Sequence, residues 1–367
     1  MKQIYTLDEY VSAKRSEATR RRTWQRLRQF LLFIYPDATV ETLEDAARHF
    51  LTERSDRFTC ILQFVREYSG KLAPMTLNHT VSEIQYWLKW NSRELSVQER
   101  AVLKNTLPRC VVITEDEVLT VPMIRQILDH SDVMMRAFVL TLASSGMRAE
   151  ELLSVRFSDM RQSKCRYFHI PADRMKAGKP HDYRYSDEAH AAIEEWLKVR
   201  ESAIESADCK TVKCLKNESS IDEGEIFPMT YSAHRQKFSR VLRDAGLLRT
   251  SGASGRSTIS FQSFRRWFDS VLKLHLSINM ANEIVGHDEG LSTNYRRYPR
   301  EMVDDAYLSV IDHLRIYAPD DYVALKGSMS DELKTQASTT AALAAELLRQ
   351  REEIDAMKLF IQATKKE

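Results

Sequence analysis

The 367-residue chain predicts a mainly α-helical protein with one small antiparallel β-hairpin sheet, an α+β fold. Three observations predict it. Apolar residues recur at helical spacing through residues 1–110, where glycine is scarce and nothing alternates. After Asp159 the character changes: Arg166–Ile170 and Tyr183–Tyr185 resemble short strands, joined through the turn signal Met175-Lys176-Ala177-Gly178-Lys179-Pro180. Helical periodicity then returns from Asp187. A chain of this length suits two domains plus an appendage, and 43% hydrophobic with 29% charged residues suits a protein with a packed core.

Thr6, near the start of the chain, suits the cap of a first helix at Leu7, with Asp8 and Glu9 in its opening turn. Trp24, Leu27, Leu31 and Ile34 mark a second helix, stopped by Pro36-Asp37. Leu43–Leu51, Phe58–Tyr68 and Val81–Trp90 read as further helices, with a break at Gly70 and Pro74, and Leu95–Leu107 closes the segment before Pro108. Val111–Val121 reads as a linker. Pro122 suits the first turn of a helix running to Asp129. Val133–Ser144 is strongly apolar and ends at Gly146; Met147–Val155 reads as another helix, with Leu152, Leu153 and Val155 on its apolar side. Ser186 or Asp187 caps the helix that buries Ala191, Ile193, Trp196 and Leu197. Ser202–Glu225 is polar and aperiodic, a loop or insertion. Tyr231–Ala245 is helical with Gly246 as its cap, Thr250–Thr258 is a Gly/Ser loop, and Glu301–Leu314 is the last helix of this part. From Asp331 onward, Leu343, Leu347, Ile354, Met357 and Ile361 trace a coiled-coil seam interrupted at Gln350. The expected division is 1–110, 111–327 and a helical tail 328–367.

Net charge is only +2, so bulk charge says little about partners, but its distribution says more. Lys14, Arg15, Arg20, Arg21, Arg22, Arg26 and Arg28 face the single acid Glu17. That stripe suits a polyanion or a solvated helix face. The five cysteines are scattered and odd in number, which argues against a disulfide framework. Cys209 and Cys214 with His190 or His234 lack standard zinc spacing, and no metal is expected. There is no basic-then-apolar leader and no apolar run near the roughly 20 residues of a bilayer span, so an intracellular, reduced setting is expected.

The chemistry-bearing stretch is residues 259–299, with Arg265-Arg266 in a helical run, then Gly286-His287, then Tyr295 and Tyr298 among arginines. Taken singly these are ordinary residues: a surface arginine, a common Gly-His, two packing tyrosines. Their order changes the reading. SSGMRAEELLSVRFSDM resembles the first arginine motif of the tyrosine recombinases, the lambda-integrase family, with Arg148 as the arginine and Glu151 the acid one turn on. MKAGK stands where that family keeps its catalytic lysine, pointing to Lys176 ahead of Lys179. FQSFRRWFDSVL is similar to the second arginine motif, His-x-x-Arg, with Arg265 as its arginine, and IVGH carries His287. The resemblance spans roughly residues 114–312, and the run through GHDEGLSTNYRRYP is closest in style to archaeal integrases. The N-terminal helices fit the family's core-binding domain in size and position.

Two positions depart from the pattern. Gln262 stands where the family has its first histidine, and an amide donates a hydrogen bond but cannot act as acid or base. The nucleophile's usual position, nine residues after the histidine, is Arg296. Tyr295 is favoured as nucleophile, with Tyr298 as the alternative.

The resemblance implies a site-specific recombinase that cleaves and rejoins DNA through a 3′-phosphotyrosyl link, without cofactor. The physical logic agrees. Arg148 and Arg265 offer planar forks of donors to the non-bridging oxygens, and His287 a further contact. The tyrosine attacks, and covalent catalysis keeps the energy of the broken bond. Lys176 protonates the leaving 5′ oxygen. Glu151 supports Arg148. Double-stranded DNA is the expected partner, clamped between domains by the N-terminal stripe and by Arg235, Arg240 and Arg243, with salt-sensitive affinity. A tetramer on paired sites and nucleoid association are expected, with the tail exchanged between protomers or forming a separate coiled coil. Integration or excision of a mobile element leads, a chromosome-dimer resolvase or type IB topoisomerase comes next, and an inactive DNA-binding regulator is the reading from another class.

Overall fold

A computed structural model of the chain describes residues 4–110, 116–176, 178–205, 224–251, 255–287, 298–317 and 349. The chain divides into two compact units, one ending at Glu115 and the other beginning at Asp116.

Among the described residues the first unit is helical: α1 (Leu7–Ser12), α2 (Glu17–Ile34), α3 (Leu43–Thr52), α4 (Arg57–Tyr68), α5 (Pro74–Trp90) and α6 (Val97–Thr106). Thr6 and Ser96 each close a capping box with a glutamate three residues on, satisfying first-turn N–H groups. The apolar faces meet in a core where Leu27, Phe30, Phe50, Phe64 and Trp87 are fully buried. Phe30 stands edge-on to Phe50 and Phe64, with ring centroids 5.2 and 5.5 Å away, a favoured aromatic geometry. Helix α5 starts at Pro74 rather than at Val81. The proline occupies the first turn, where its missing N–H has no intrahelical partner to lose. A half-buried polar cluster ties α1, α2 and α5: Glu83 accepts from the Tyr10 hydroxyl at 2.7 Å and pairs with Lys14 at 2.7 Å and Arg26 at 3.9 Å.

The second unit holds α7 (Val121–Asp129), α8 (Val133–Ser145), α9 (Ala149–Leu152), β1 (Met160–Gln162), β2 (Arg166–Ile170), β3 (His181–Tyr185), α10 (Asp187–Glu205), α11 (Tyr231–Asp244), α12 (Phe261–His275), α13 (Ile278–Val285) and α14 (Arg300–Leu314). Helix α8 is the central post, buried at every residue from Met134 to Ser145, and α10 and α12 pack on it. The sheet is antiparallel in the order β1-β2-β3, with Phe168 opposite both Met160 and Tyr183. Strand β1 escapes the sequence because three residues carry no readable alternation. The helix expected over Met147–Val155 is a single turn. The chain leaves the helix there: the carbonyl of the buried Val155 accepts the Ile226 N–H at 2.9 Å, and Arg156 bridges to Glu225.

Helix α14 is riveted to the sheet. Arg184 of β3 and Asp304 are 4% and 1% exposed and meet at 2.7 Å, and the Ser163 hydroxyl donates to the other Asp304 oxygen at 2.5 Å. Arg300 pairs with Asp182 at 3.0 Å and Lys164 with Asp305 at 2.6 Å. Beyond α14 the buried Glu188 carboxylate accepts the N–H groups of Ile316 and Tyr317 at 3.1 and 2.9 Å. No helix among the described residues is long and apolar enough to cross a membrane. The coiled-coil seam from Leu343 to Ile361 lies outside the described residues.

Candidate active site

Helix α8 ends at Gly146, whose φ of +63° is the left-handed conformation glycine adopts freely. A Cβ here would overlap the Phe268 ring of α12, so the glycine also sets how closely the two helices approach. Its carbonyl accepts Nη1 of Arg265 at 2.7 Å. Two residues on, Arg148 caps α9 and donates through Nη1 to Glu151 at 2.9 Å. Glu151, 4% exposed, takes a second hydrogen bond from the Tyr183 hydroxyl of β3 at 2.8 Å. The acid is therefore pinned from the sheet side, and it fixes the direction in which the Arg148 guanidinium points. The Arg148 side chain keeps 31% exposure.

Arg265 is 2% exposed, and its Nη2 is buried with no hydrogen-bond partner among the described residues. Burial holds its pKa below the usual guanidinium range, Tyr183 opposes that shift, and the charge of Arg148 reinforces it. A buried cationic donor without an acceptor is costly and rare in native proteins. An oxyanion is the chemistry that would satisfy it.

His287 is placed by a second left-handed glycine. Gly286 (φ +73°) caps α13, and the N–H groups of both Gly286 and His287 converge on the Asn282 carbonyl at 3.0 and 2.9 Å. A Cβ at Gly286 would come within 3.1 Å of the His181 ring. His181 opens β3, and its Nε2 donates to the Ile284 carbonyl at 3.1 Å. A carbonyl only accepts, so this nitrogen carries the proton. Burial depresses the His181 pKa to about 4, against the opposing carbonyl. Its ring stands edge-on to Tyr183, with centroids 4.4 Å apart. For His287 itself, burial lowers the pKa, the charge of Arg265 adds to it, and Asp269 opposes; the Asp269 oxygen lies 3.9 Å from Nδ1.

The second unit thus brings Arg148, Glu151, Arg265 and His287 together, their charges and contacts interlocked through β3. Lys176 is exposed in the turn between β2 and β3, which Gly178 closes by donating to Met175 at 3.0 Å. Gln262 is exposed in the first turn of α12. Tyr298 is half-buried against the core, just before the Pro299 cap of α14. Tyr295 lies outside the described residues. Among the described residues no group of three or more His, Cys, Asp or Glu side chains is placed to hold a metal ion.

The basic residues divide. Glu83 holds Lys14 and Arg26, Arg20 donates to the Lys14 carbonyl at 2.9 Å, and Arg28 lies over the Trp24 ring at 5.5 Å. Arg15, Arg21 and Arg22 are exposed on the first unit, and Arg235, Arg240 and Arg243 are exposed along α11 of the second.

Sequence reasoning missed Tyr183, His181 and Asp269. Each acts through a contact across elements, and no local pattern announces it.

The structure shares its fold with a lambda integrase (residues 75–356) dimer bound to a COC′ core site: 14% identity, covering 80% of this chain and 96% of that one, TM-score 0.53. It is also similar to a XerA recombinase, at 15% identity, 78% and 98% coverage and TM-score 0.36. A Tn1549 transposon integrase (residues 82–397, Y379F) in complex with transposon right end DNA matches at 12% identity, 78% and 98% coverage and TM-score 0.46. No curated protein matches the chain in sequence. The phage integrase family profile matches residues 112–302, more than half of the chain and the whole span from Arg148 to Tyr298, and the chain belongs to that family.

Proposed function

We propose that this tyrosine recombinase cleaves and rejoins duplex DNA at specific sites through a 3′-phosphotyrosyl intermediate, integrating or excising a mobile element. The observation that carries the reading is Arg265, buried with Nη2 unpartnered among the described residues, beside the partly exposed Arg148. Two fixed guanidiniums of this kind suit the non-bridging oxygens of a phosphodiester, and pre-placed donors stabilise a charged transition state without reorganising.

Chemistry sets the roles. Arg148 and Arg265 neutralise the phosphoryl oxygens, with Glu151 holding Arg148 in register. His287 adds a contact at the same phosphate. The tyrosine oxygen attacks phosphorus, the bond to the 5′ oxygen breaks, and Lys176 supplies that oxygen with a proton. Tyr295 is the proposed nucleophile and Tyr298 the alternative. The helical unit serves as a core-binding domain, and Arg15, Arg21, Arg22, Arg235, Arg240 and Arg243 contact backbone phosphates, so affinity falls steeply with salt. A tetramer on paired sites performs the exchange, at the nucleoid, with residues 328–367 docking between protomers.

The test is covalent trapping on supercoiled plasmid DNA without added metal, read on a denaturing gel and followed by peptide mass spectrometry. An adduct on the peptide carrying Tyr295 and Tyr298 is expected, and fragmentation chooses between them. No adduct, on plasmid or on the element's own junction sequence, would leave a DNA-binding regulator as the surviving reading.

A further inference from the structure

His287 has a neighbour whose geometry assigns it a more specific part in the reaction. Asp269 lies one helical turn beyond Arg265 on α12 and so shares its face. One carboxylate oxygen, Oδ2, accepts Lys273 Nζ at 2.7 Å. The other, Oδ1, is buried, has no hydrogen-bond partner among the described residues, and lies 3.9 Å from His287 Nδ1. A small torsion of either side chain closes that gap. Catalytic hydrogen bonds are often this long before substrate binds. The backbone of His287 is meanwhile held by Asn282 and by the Gly286 cap, so the imidazole can turn but not wander.

Resting on the recombinase reading, we propose that Asp269 is a positioning residue for His287: it holds the Nδ1–H, so that Nε2 faces the reacting phosphodiester and accepts the tyrosine's proton. A carboxylate only accepts, so a hydrogen bond from His287 to Asp269 puts the proton on Nδ1 and leaves a lone pair on Nε2. In the cleavage step the tyrosine Oη–phosphorus bond forms and the phosphorus–O5′ bond breaks. The phenolic proton passes to His287 Nε2, and the 5′ oxygen receives one from Lys176. The imidazolium then donates one N–H to Asp269 and the other to the phosphoryl oxygen.

This chain has particular use for such an arrangement. Gln262 stands one helical turn before Arg265 and cannot take a proton. The charged groups bearing on His287 are Arg265 and Lys273 from α12 and Arg148 from α9, all of which favour the neutral ring, with Asp269 opposing them. His181 of β3, beneath Gly286, is itself held neutral by burial. A neutral imidazole is the form able to accept a proton at neutral pH, and Asp269 stabilises the charge that then appears.

The test uses the full-length, 15N-histidine-labelled protein and long-range proton–nitrogen correlation of its ten imidazoles, with His287→Gln identifying the His287 signals. The expected neutral tautomer of His287 is Nδ1–H. Asp269→Asn should move the His287 titration midpoint down, and Lys273→Met should move it up. Both displacements should exceed those of the other nine rings. An Nε2–H tautomer in the unaltered protein, or a midpoint indifferent to Asp269→Asn, overturns the proposal. In the trapping assay, Asp269→Asn should shift the acid limb of the pH–rate profile with that midpoint, with Asp269→Glu restoring part of the rate; an unmoved limb would remove the proton-accepting role. If the unaltered protein forms no adduct at all, the recombinase reading falls, while tautomer and titration still decide the Asp269–His287 contact.

Discussion

Arg265 Nη1 donates to the Gly146 carbonyl at 2.7 Å, while Nη2 of the same guanidinium is buried without a partner among the described residues. One end of the fork is bolted to the end of α8, and the other is left for a ligand. Arg265→Lys keeps a positive charge but loses the fork, and Arg148→Ala loses the second cation. Each should reduce covalent adduct formation by about 100-fold or more, the scale of losing one transition-state donor. DNA affinity, measured by fluorescence anisotropy at fixed salt, should change only a few-fold. Binding lost in proportion to cleavage would refute their role as transition-state ligands.

Gly146→Ala should be severe for its size. It puts a Cβ on a left-handed residue, at about 1–2 kcal/mol, and drives it into Phe268, at about 1–3 kcal/mol more. Denaturant unfolding should show about 2–5 kcal/mol lost. Losses of a few tenths would mean that α12 can retreat from α8.

Tyr183→Phe removes the hydroxyl that Glu151 accepts while leaving the ring in place. The buried carboxylate then lacks one partner, a cost of about 1–3 kcal/mol. Equilibrium unfolding reads that cost. Single-turnover cleavage should fall as well, because Glu151 is what aims Arg148; an unaffected rate would show that Arg148 is aimed without it.

His181 makes stability depend on pH with a definite sign. Its pKa is 6.5 unfolded and about 4 folded. The folded state thus binds fewer protons between these values, and this contribution is complete above pH 6.5 and lost as pH falls through 4. About 3 kcal/mol should disappear between neutral pH and the lower end of that window. His181→Gln should flatten this limb relative to the unaltered protein in urea melts at a series of pH values. Parallel curves would show that the ring takes up its proton as readily in the fold as in the unfolded chain.

Asp304→Ala strands the Arg184 guanidinium, 4% exposed, without its partner. Breaking a buried pair from one side costs about 3–5 kcal/mol, whereas replacing both members by apolar residues of similar volume is near neutral. The single variant should melt markedly lower than Asp304→Leu combined with Arg184→Met. Equal melting would mean that water reaches the site.

How much of the fold and site is legible in the sequence depends on where each feature's cause lies. The helices of the first unit come from apolar spacing, and Arg148, Glu151, Arg265 and His287 from motifs written contiguously in the chain. Both helix-ending glycines, Gly146 and Gly286, sit beside the residues they place. The third strand is not legible because Met160–Gln162 is too short to alternate. Nor is the shortening of α9, since Val155 is drawn away by Ile226, some seventy positions along. Tyr183, His181 and Asp269 gain their meaning only when β3, α12 and α13 are packed together. Pro74 reads as an interruption because a proline ends one helix as readily as it begins another, and only the burial of Leu77 in the following turn decides between the two.

The grip of Glu188 on the Ile316 and Tyr317 amides has a mechanical consequence. Arg125 also holds the Ile316 carbonyl, at 2.5 Å, so the backbone just past α14 is clasped by the start of α10 and by α7. Tension applied from beyond Tyr317 is borne by those two helices before it reaches Leu314. Force from that direction is grounded in the frame of the unit, and α14 is shielded from strain by its own downstream anchor.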